Sequence, residues 1–225
     1  MGLRLCHLGF SDYQTVRDLQ LRLVAARLAG EQGDTVLVTE HPPVFTLGRR
    51  GSRDHLGVSE SFLAGHGIEV VQIERGGDIT YHGPGQLVVY PVIRLRSNQL
   101  SVTDYVSRLE ELMLRLAADC GVISERDSRG RGIWCHGDKL GSVGIAVRHG
   151  VTFHGLALNV QTSLLPFSWI NPCGLCGVRM TSLVREAGRD VPISEAVRLL
   201  PHHLQELFGC VVEIGCEELL RREAA

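Results

Sequence analysis

Three things are absent from this 225-residue chain: a long apolar run, a strong excess of charge of one sign, and any internal repeat. Without an apolar stretch of about 20 residues, the chain offers no candidate for a membrane-spanning helix. Basic and acidic residues number 23 and 25, for a net charge of −2, so the composition gives no sign of a nucleic-acid-binding surface. The N-terminal residues also lack the regions of a signal peptide. We therefore expect a cytoplasmic protein that binds neither membranes nor nucleic acids.

Cysteine is present in an odd number, with seven residues spread along the chain. A disulfide framework is typical of short secreted domains with an even count, whereas a chain of this length can bury a substantial core without cross-links. We predict reduced thiols and a single domain over residues 1–225. A zinc site built from Cys173, Cys176, Cys210 and Cys216 is disfavoured, because the last two are too far apart for a zinc-binding pair. We accordingly predict no metal and no cofactor.

The most unusual segment is the glycine-rich run RGGDITYHGPGQ at residues 75–86. Its glycines let backbone N–H groups approach a ligand closely, and His82 can titrate near neutral pH. A loop that only reversed the chain would not need so many ionisable groups, so we predict a functional site here. Arg75 and Asp78 could pair with each other to hold the loop, or they could contact a substrate; both interpretations stay open.

Hydrophobic periodicity predicts helices separated by groups of adjacent strands. The predicted helices begin near Asp12, Ser101, Thr181 and Ser194, and the predicted strands cover residues 35–39, 44–47, 68–73, 87–93, 132–135, 142–148, 151–160 and 211–214. Strands that come in groups, rather than in strict β-α-β alternation, favour an α/β (α+β) fold whose mixed, largely antiparallel sheet packs against helices.

Five motifs occur in a fixed order along the chain: RGGDITYHGPGQ at 75–86, KLGSVG at 139–144, HGLALN at 154–159, PCG at 172–174 and TS at 181–182. In these motifs, and in EHPPVFTLG at 40–48, the chain resembles the lipoyl(octanoyl) transferase family over residues from about 5 to 215. The fold of this family is similar to that of lipoate and biotin protein ligases. The resemblance implies an acyltransferase that moves an octanoyl group from octanoyl-acyl carrier protein to a specific lysine of lipoyl domains, the first step of endogenous protein lipoylation. The implied acceptors are the lipoyl domains of 2-oxoacid dehydrogenase complexes or the glycine cleavage H protein.

The resemblance makes Cys173 the nucleophile that carries the acyl group. From position alone, between Pro172 and Gly174 on a predicted turn, a buried structural cysteine is an equally good interpretation. A free thiol is only a few per cent thiolate at pH 7, so it needs activation. The resemblance gives that role to Lys139, whose apolar neighbours predict a partly desolvated amine with a lowered pKa. His82 is the third candidate catalytic residue, because a histidine inside the glycine-rich loop could orient the pair or shuttle a proton, although a lone histidine is more often structural. The base could be either His82 or Lys139, with Lys139 preferred.

The implied substrate contacts fall in three segments. Burial of an octanoyl chain contributes up to roughly 0.8 kcal/mol per methylene, so a closed apolar slot can measure chain length. His154 is expected to organise the wall of the site, and Thr181-Ser182 could present backbone N–H groups to an oxyanion, cap a helix, or both. The implied contact residues are Arg75, Gly76, Gly77, Asp78, Ile79, Thr80, Tyr81, His82, Ser142, Val143, Gly144, Gly155, Leu156 and Ala157.

Other classes of function stay open. Residues 128–132 (SRGRG) resemble the Gly/Arg loop of biotin ligases, and an ATP-dependent ligase would release AMP, although it would not need the PCG cysteine. A binding module that has lost activity is a third class, but Cys173, Lys139 and His82 are all present. Cys176, which the family does not require, predicts a reversible disulfide with Cys173 that would block the nucleophile.

Arg49, Arg50 and Arg53 lie in a glycine-rich stretch. They could steer an acidic carrier protein toward the site, or they could be an ordinary solvated surface. Ser163 stands where the family commonly has an acidic residue, so an ionic contact expected there is missing. We expect a monomer, because an acyl-enzyme route needs only one site.

Overall fold

The computed structural model describes residues 2–171 and 177–216, so Cys173 and Cys176 lie outside the described residues. The strands are β1 (Gly2–Phe10), β2 (Asp34–Glu40), β3 (Val44–Leu47), β4 (Glu69–Gln72), β5 (Ile79–His82), β6 (Gln86–Val92), β7 (Gly132–Cys135), β8 (Asp138–Arg148), β9 (Val151–Asn159) and β10 (Val211–Ile214). The helices are α1 (Tyr13–Ala29), α2 (Glu60–Gly65), α3 (Val102–Asp119), α4 (Leu183–Ala187) and α5 (Ile193–Phe208). Short 3-10 turns cover Arg53–His55, Leu95–Asn98 and Leu165–Trp169.

Seven strands form the larger sheet, in the order β10-β1-β2-β6-β9-β8-β7. β1 is parallel to its neighbours β10 and β2, and the remaining neighbours are antiparallel. The smaller sheet has the order β4-β3-β5, with β3 parallel to β4 and antiparallel to β5. The predicted α+β class, with a mixed and largely antiparallel sheet, is confirmed.

Helices cover both faces of the larger sheet because its central strands are apolar on both sides. Val36 and Val38 of β2 pack in the cluster that contains α3 and α5, whereas Leu37 between them packs in the cluster that contains α1. The buried apolar faces of the helices include Leu109, Leu112, Met113 and Leu116 of α3 and Val16, Leu19, Leu23 and Val24 of α1. Each fully buried side chain of this kind contributes roughly 1.5–3 kcal/mol, so the two layers fix the sheet firmly.

The helices α1 and α3 begin where the sequence predicted, each after a side chain that caps its first turn. Asp12 caps α1 by accepting a hydrogen bond from the Thr15 backbone N–H at 2.8 Å, and Gly30 ends it in the left-handed conformation, with φ 79°. Ser101 and Asp104 form a reciprocal capping box at the start of α3. Among the described residues, no helix combines the length and apolarity needed to cross a membrane.

Several local predictions were incomplete. β1 and α2 were not predicted, and β8 begins at Asp138 rather than at Ser142. Ile79–His82, predicted as part of a loop, is strand β5. It pairs with β3 from Ile79 opposite Leu47 to His82 opposite Val44. A four-residue strand flanked by glycines is too short to show its alternation in the sequence.

The prediction of reduced thiols is wrong for one pair, because the structure joins Cys6 and Cys216 by a disulfide. The parallel pairing of β1 with β10 sets Leu5 opposite Ile214, which brings two cysteines 210 positions apart to a Cα–Cα distance of 4.9 Å. A cysteine count cannot reveal such a pair, since the pairing depends on which strands share the edge of the sheet. Cys120, Cys135 and Cys210 are free thiols.

Candidate active site

One cavity of about 540 Å³ gathers the segments that the sequence singled out. One of its sides, here called the strand wall, consists of Lys139 and residues 142–144 of β8 with residues 155–157 of β9. The other, the loop wall, consists of residues 75–80 and His82. Tyr81 does not line the cavity: its ring packs against Phe45 and Phe167, with centroids 5.4 Å from each. Adjacent residues of a strand point to opposite faces, which separates Tyr81 from its neighbour His82.

The strand wall allows very close backbone approach. A Cβ atom on Gly155 would lie 2.1 Å from the Val89 carbonyl oxygen, so only glycine fits there. His154, just before it, adopts a left-handed backbone conformation with φ 56°, which is uncommon for a residue other than glycine. Arg75 of the loop wall crosses over Gly144, where a Cβ would lie 3.0 Å from Arg75 Cδ.

Hydrogen bonds from both side chains and the backbone hold the loop wall in place. The buried Arg75 guanidinium donates to the carbonyl oxygen of Thr46 at 2.7 Å and to its Oγ1 at 2.9 Å. Asp78 Oδ1 lies 2.6 Å from His55 Nδ1. Arg75 and Asp78 thus have separate partners on neighbouring segments. The Gly76 backbone N–H donates to Ile145 O of β8 at 2.8 Å, which joins the loop wall to the strand wall.

Lys139 is the one lysine of the chain, and the other 22 of its 23 basic residues are arginine. Only 8% of its surface is exposed, and its Nζ lies 5.2 Å from the centroid of the Trp134 ring. Burial lowers the pKa of Lys139 to about 8, against the opposing effect of the Glu110 and Asp127 carboxylates. The amine is therefore partly neutral at physiological pH, unlike that of a solvated lysine.

The segment after the PCG motif is fixed beside Lys139. The Lys139 N–H donates to Arg179 O at 2.8 Å, and the Thr181 N–H donates to Lys139 O at 2.9 Å. Cys173 itself lies outside the described residues. The residues on either side of the undescribed segment, Asn171 and Gly177, both line the cavity.

His82 is held in one tautomer by a chain of buried side chains. Its Nδ1 lies 2.7 Å from Gln86 Oε1, and Gln86 Nε2 donates to Asn159 Oδ1 at 2.9 Å and to Tyr81 O at 3.2 Å. Because the amide nitrogen of Gln86 already serves two oxygen acceptors, its oxygen faces His82, and His82 Nδ1 carries the proton. Asn159 Nδ2 then donates to Thr181 O at 3.0 Å, so the chain runs from the loop wall to the segment beside Lys139.

Burial also sets the charge of the histidines in the cavity. It lowers the pKa of His82 to about 3, with a further lowering by His41 and Arg75, so His82 is neutral. His154 is 1% exposed, and its Nε2 lies 3.5 Å from Glu74 Oε2. Burial lowers the pKa of His154 as well, against the effect of Glu74. Both rings belong to the cavity wall.

The structural role of two residues of this hydrogen-bonded chain was not predicted from the sequence, although each is the last residue of a motif. Gln86 is the last residue of RGGDITYHGPGQ and Asn159 is the last of HGLALN. Their polar side chains at the ends of apolar strands were the available signal, because a buried amide needs specific partners. For Ser182 the sequence left two roles open, helix capping and contact with an oxyanion. Its side-chain oxygen caps α4 by accepting a hydrogen bond from the Arg185 backbone N–H.

Three exposed arginines line the cavity: Arg50, Arg129 and Arg131. Arg129 lies over the Trp134 ring at 4.2 Å and pairs with Asp127 at 2.6 Å. Arg53, which was grouped with Arg50 in the sequence, instead pairs with Glu60.

Comparison with known proteins identifies the family of the chain. The model of the lipoyl protein ligase A/B catalytic domain matches residues 12–205. An octanoyltransferase from Desulfotalea psychrophila is 53% identical over 208 residues, which are 91% of this chain and 93% of that protein. An octanoyltransferase from Caldicellulosiruptor bescii is 41% identical over 222 residues, covering 98% of this chain and 97% of that protein.

Solved structures agree on the fold. Lipoate-protein ligase A bound with ATP matches with a TM-score of 0.77 at 19% identity, over 99% of this chain and 94% of that one. A biotin protein ligase from Aquifex aeolicus matches with a TM-score of 0.55 at 12% identity, over 92% of this chain and 70% of that one. The predicted ligase-like architecture is therefore confirmed. By its family match and its relatives of high identity, the chain belongs to the lipoyl(octanoyl) transferase family of acyltransferase enzymes.

Proposed function

We propose that this enzyme transfers an octanoyl group from octanoyl-acyl carrier protein to a specific lysine of lipoyl domains, through a thioester on Cys173 and with Lys139 as the base. The acceptors are lipoyl domains of 2-oxoacid dehydrogenase complexes or the glycine cleavage H protein. One observation carries the proposal: a single cavity gathers Lys139, both walls and the two residues, Asn171 and Gly177, that flank the segment of Cys173. The octanoyltransferase relatives at 53% and 41% identity support the same acyl group.

The chemistry needs a thiol but no nucleotide. In the first step the Cys173 sulfur attacks the thioester carbonyl of the donor, a new C–S bond forms, and the carrier leaves as a thiol that takes up the proton. One thioester replaces another, so the step is nearly isoenergetic. In the second step the acceptor lysine forms a C–N bond, and the C–S bond to Cys173 breaks. An amide replaces a thioester, so transfer runs downhill and both proteins use one site in turn.

The lowered pKa of Lys139 suits it to the role of base. With a pKa of about 8, roughly a quarter of Lys139 is neutral at pH 7.5, against roughly 0.1% of a lysine at its ordinary value. A neutral amine can accept the proton of Cys173 and later that of the acceptor amine, and a base is most effective when its pKa lies near the working pH. His82 is a much weaker base, because its pKa is about 3. We assign it the supporting role of a neutral hydrogen-bond acceptor through Nε2.

Apolar residues on both walls fit an acyl chain. Ile79 of the loop wall and Val143, Leu156 and Ala157 of the strand wall line the cavity. Each methylene of the chain that they bury contributes roughly 0.8 kcal/mol, so the wall can prefer one chain length over its neighbours.

The exposed arginines at the cavity suit an acidic carrier protein. Arg50, Arg129 and Arg131 lie where the carrier has to deliver its acyl group, and charge attraction there would raise the rate of encounter at low salt. We propose that the enzyme acts as a monomer, because an acyl-enzyme route needs only one site. We place the enzyme in the cytoplasm.

The intact mass of the protein tests the proposal directly. Wild type and Cys173→Ala are mixed with octanoyl-acyl carrier protein in the absence of acceptor. We expect one octanoyl adduct on wild type alone, which a lipoyl domain then discharges. Cys176→Ala is the matched control, since the same residue type three positions away should leave the adduct intact. An adduct on Cys173→Ala would mean that the nucleophile lies elsewhere.

The same experiment separates transfer from ligation. If neither protein gains an adduct, while octanoate and ATP support modification of the lipoyl domain with release of AMP, the chain is a ligase and the covalent route fails. If neither donor supports modification, the chain is a binding module.

A further inference from the structure

Three metal-binding side chains meet outside the cavity. Cys135 ends β7, His136 follows it in the turn, and Glu186 lies in α4. Cys135 Sγ is 3.5 Å from His136 Nδ1 and 3.3 Å from Glu186 Oε2, and His136 Nδ1 is 3.2 Å from that same oxygen. The three donor atoms thus form a nearly equilateral triangle. The acyl-transfer proposal uses none of them.

The triangle has the size that a zinc ion requires. Zn²⁺ binds thiolate at about 2.3 Å, imidazole nitrogen at about 2.0–2.1 Å and carboxylate oxygen at about 2.0–2.2 Å, almost always in tetrahedral geometry. These bond lengths give roughly 3.3–3.6 Å between neighbouring ligand atoms. The three distances, 3.2–3.5 Å, match these values within a few tenths of an ångström.

The surroundings of the three side chains also suit a metal site. Cys135 is 2% exposed, which fixes its sulfur, whereas the His136 side chain faces solvent and leaves a position open to water. The second oxygen of Glu186 accepts a hydrogen bond from Thr181 Oγ1. Such an outer partner orients a carboxylate ligand. In this structure the Cys135 sulfur lies 3.2 Å from Ile123 O and 3.3 Å from Glu186 Oε2, so its thiol proton has two acceptors within reach, and a bound cation would replace that proton.

The turn that carries His136 recurs in the chain, and this repetition provides a control. β7 and β8 are joined by His136-Gly137, with φ 48° and 83°, and β8 and β9 are joined by His149-Gly150, with φ 48° and 82°. Two-residue hairpins of this kind need positive φ at both positions, where asparagine is the usual first residue. Among the described residues His149 belongs to no group of metal-binding side chains, so the turn alone does not create the cluster.

We propose that Cys135, His136 and Glu186 form a binding site for a zinc-class divalent cation, with water as the fourth ligand. The ion would clamp the β7–β8 hairpin, which leads into Lys139, onto α4. It takes no part in acyl transfer, so the site stands independently of the proposed function. Binding releases the Cys135 thiol proton to solvent.

A second group of side chains that could bind a metal ion lies on α5 and consists of His202, His203 and Glu206. Metal binding there has to be distinguished from binding at the proposed site. His203 Nε2 lies 2.6 Å from Asp119, which leaves His202 and Glu206, both exposed, as the available donors. This group contains no thiol. A probe that reports thiolate coordination therefore separates the two.

Titration of the full-length protein with Co²⁺, with the Cys6–Cys216 disulfide left intact, tests the proposal, because tetrahedral Co²⁺ with a thiolate ligand gives visible bands and a near-ultraviolet charge-transfer band. We expect one equivalent of Co²⁺ to produce both features and one equivalent of Zn²⁺ to displace it. Even an outer partner contributes roughly 10–100-fold to metal affinity, so Cys135→Ser and His136→Asn should weaken Zn²⁺ binding by about 100-fold or more. Asn at position 136 keeps the turn, and circular dichroism checks that each variant folds.

Three controls make the outcome decisive. His149→Asn and His202→Asn should bind as wild type does, and Cys173→Ser/Cys176→Ser should keep the charge-transfer band. The proposal is overturned if wild type shows no stoichiometric band, if the band survives in Cys135→Ser, if it disappears in the Cys173→Ser/Cys176→Ser variant, or if His149→Asn weakens binding as much as His136→Asn does. If Cys135→Ser does not fold, His136→Asn and Glu186→Gln decide the question alone.

Discussion

The two walls of the cavity are built in different ways. The strand wall belongs to paired strands of the larger sheet, with a helix layer behind each face, and it carries Lys139. The loop wall is an irregular segment leading into a four-residue strand. Backbone hydrogen bonds join it to residues 48–50 and to Ile145, and side-chain hydrogen bonds, above all those of Arg75 to Thr46, add to them. A wall built from long paired strands can keep the proposed base in a fixed geometry. A wall whose position also depends on individual side chains can be shifted by one substitution.

This difference predicts a division of effects between the walls. Changes in the strand wall should act on the chemical step, because they move or remove the proposed base, Lys139. Changes behind the loop wall should act on binding of the acyl donor, because they alter one side of the cavity without touching the reacting atoms. The Gln86–Asn159 hydrogen bonds join the two regions, so a change there should affect both.

Removal of the amine from the strand wall should have the largest effect. In Lys139→Ala the Cys173 thiol loses its base, and since general base catalysis contributes roughly 10²–10⁴-fold, acylation should slow by that factor. Rapid-quench intact mass with octanoyl-acyl carrier protein measures the rate of acylation. Donor affinity, measured separately by fluorescence anisotropy of a labelled carrier, should change little.

Arg131→Ala is the control for loss of a cation at the cavity. It should weaken carrier binding at low salt and leave the rate of acylation at saturating donor close to that of wild type. An unchanged acylation rate in Lys139→Ala would remove Lys139 from the mechanism and leave the base unidentified.

The pH dependence of acylation should report the same amine. Because the proposed mechanism uses the neutral form of Lys139, whose pKa is about 8, the rate should rise with pH and level off above that value. At pH 6 only roughly 1% of the amine is neutral, so acylation should be roughly 50-fold slower than at pH 8. Lysine-selective ¹³C labelling gives a single Cε signal, because Lys139 is the only lysine. An ordinary lysine pKa from the titration of that signal would contradict the proposed base.

The Asn159→Ala substitution, at the hydrogen bonds that join the two walls, should have an intermediate effect on the rate of acyl transfer. The substitution leaves Thr181 O and one N–H of Gln86 without their buried partner, and each unpaired group costs about 1–3 kcal/mol. Gln86 is then oriented only by its longer hydrogen bond to Tyr81 O, at 3.2 Å, so the amide is less firmly held and no longer fixes the ring proton of His82 on Nδ1. We expect acyl transfer to fall about 10–100-fold, and ¹⁵N NMR of His82 to show a mixture of the two tautomers.

A purely structural role for Asn159 would lower stability without changing the tautomer. Asn98→Ala provides the comparison, because Asn98 makes two hydrogen bonds, to Asp34 and Arg94, at residues that do not line the cavity. It should alter neither the His82 tautomer nor the rate of transfer.

The sequence predicted the strand wall better than the loop wall, for a physical reason. Alternation and long apolar runs indicated β8 and β9, and the apolar neighbours of Lys139 indicated a desolvated amine. The loop wall depends on contacts between distant residues, such as Arg75 with Thr46 and Asp78 with His55, which no local pattern records. The same limit applies to the Cys6–Cys216 disulfide and to the convergence of Cys135 with Glu186.

The smallest effect should come from Thr46→Val, which tests the loop wall alone. The substitution keeps the size and the backbone carbonyl of Thr46 but removes the hydroxyl oxygen, which accepts from Arg75 Nη2 at 2.9 Å and from Arg75 Nε at 3.3 Å. The carbonyl still accepts from Nη2, but hydrogen bonds to a charged group contribute about 1.5–3 kcal/mol, so the loss should be about 1.5 kcal/mol, or roughly tenfold. Steady-state kinetics should show that increase in KM for octanoyl-acyl carrier protein, with kcat within about twofold of wild type. Thr103→Val, on the exposed face of α3, should change neither constant. A fall in kcat with an unchanged KM in Thr46→Val would show instead that Arg75 acts in the chemical step, and the division of labour between the walls would then be wrong.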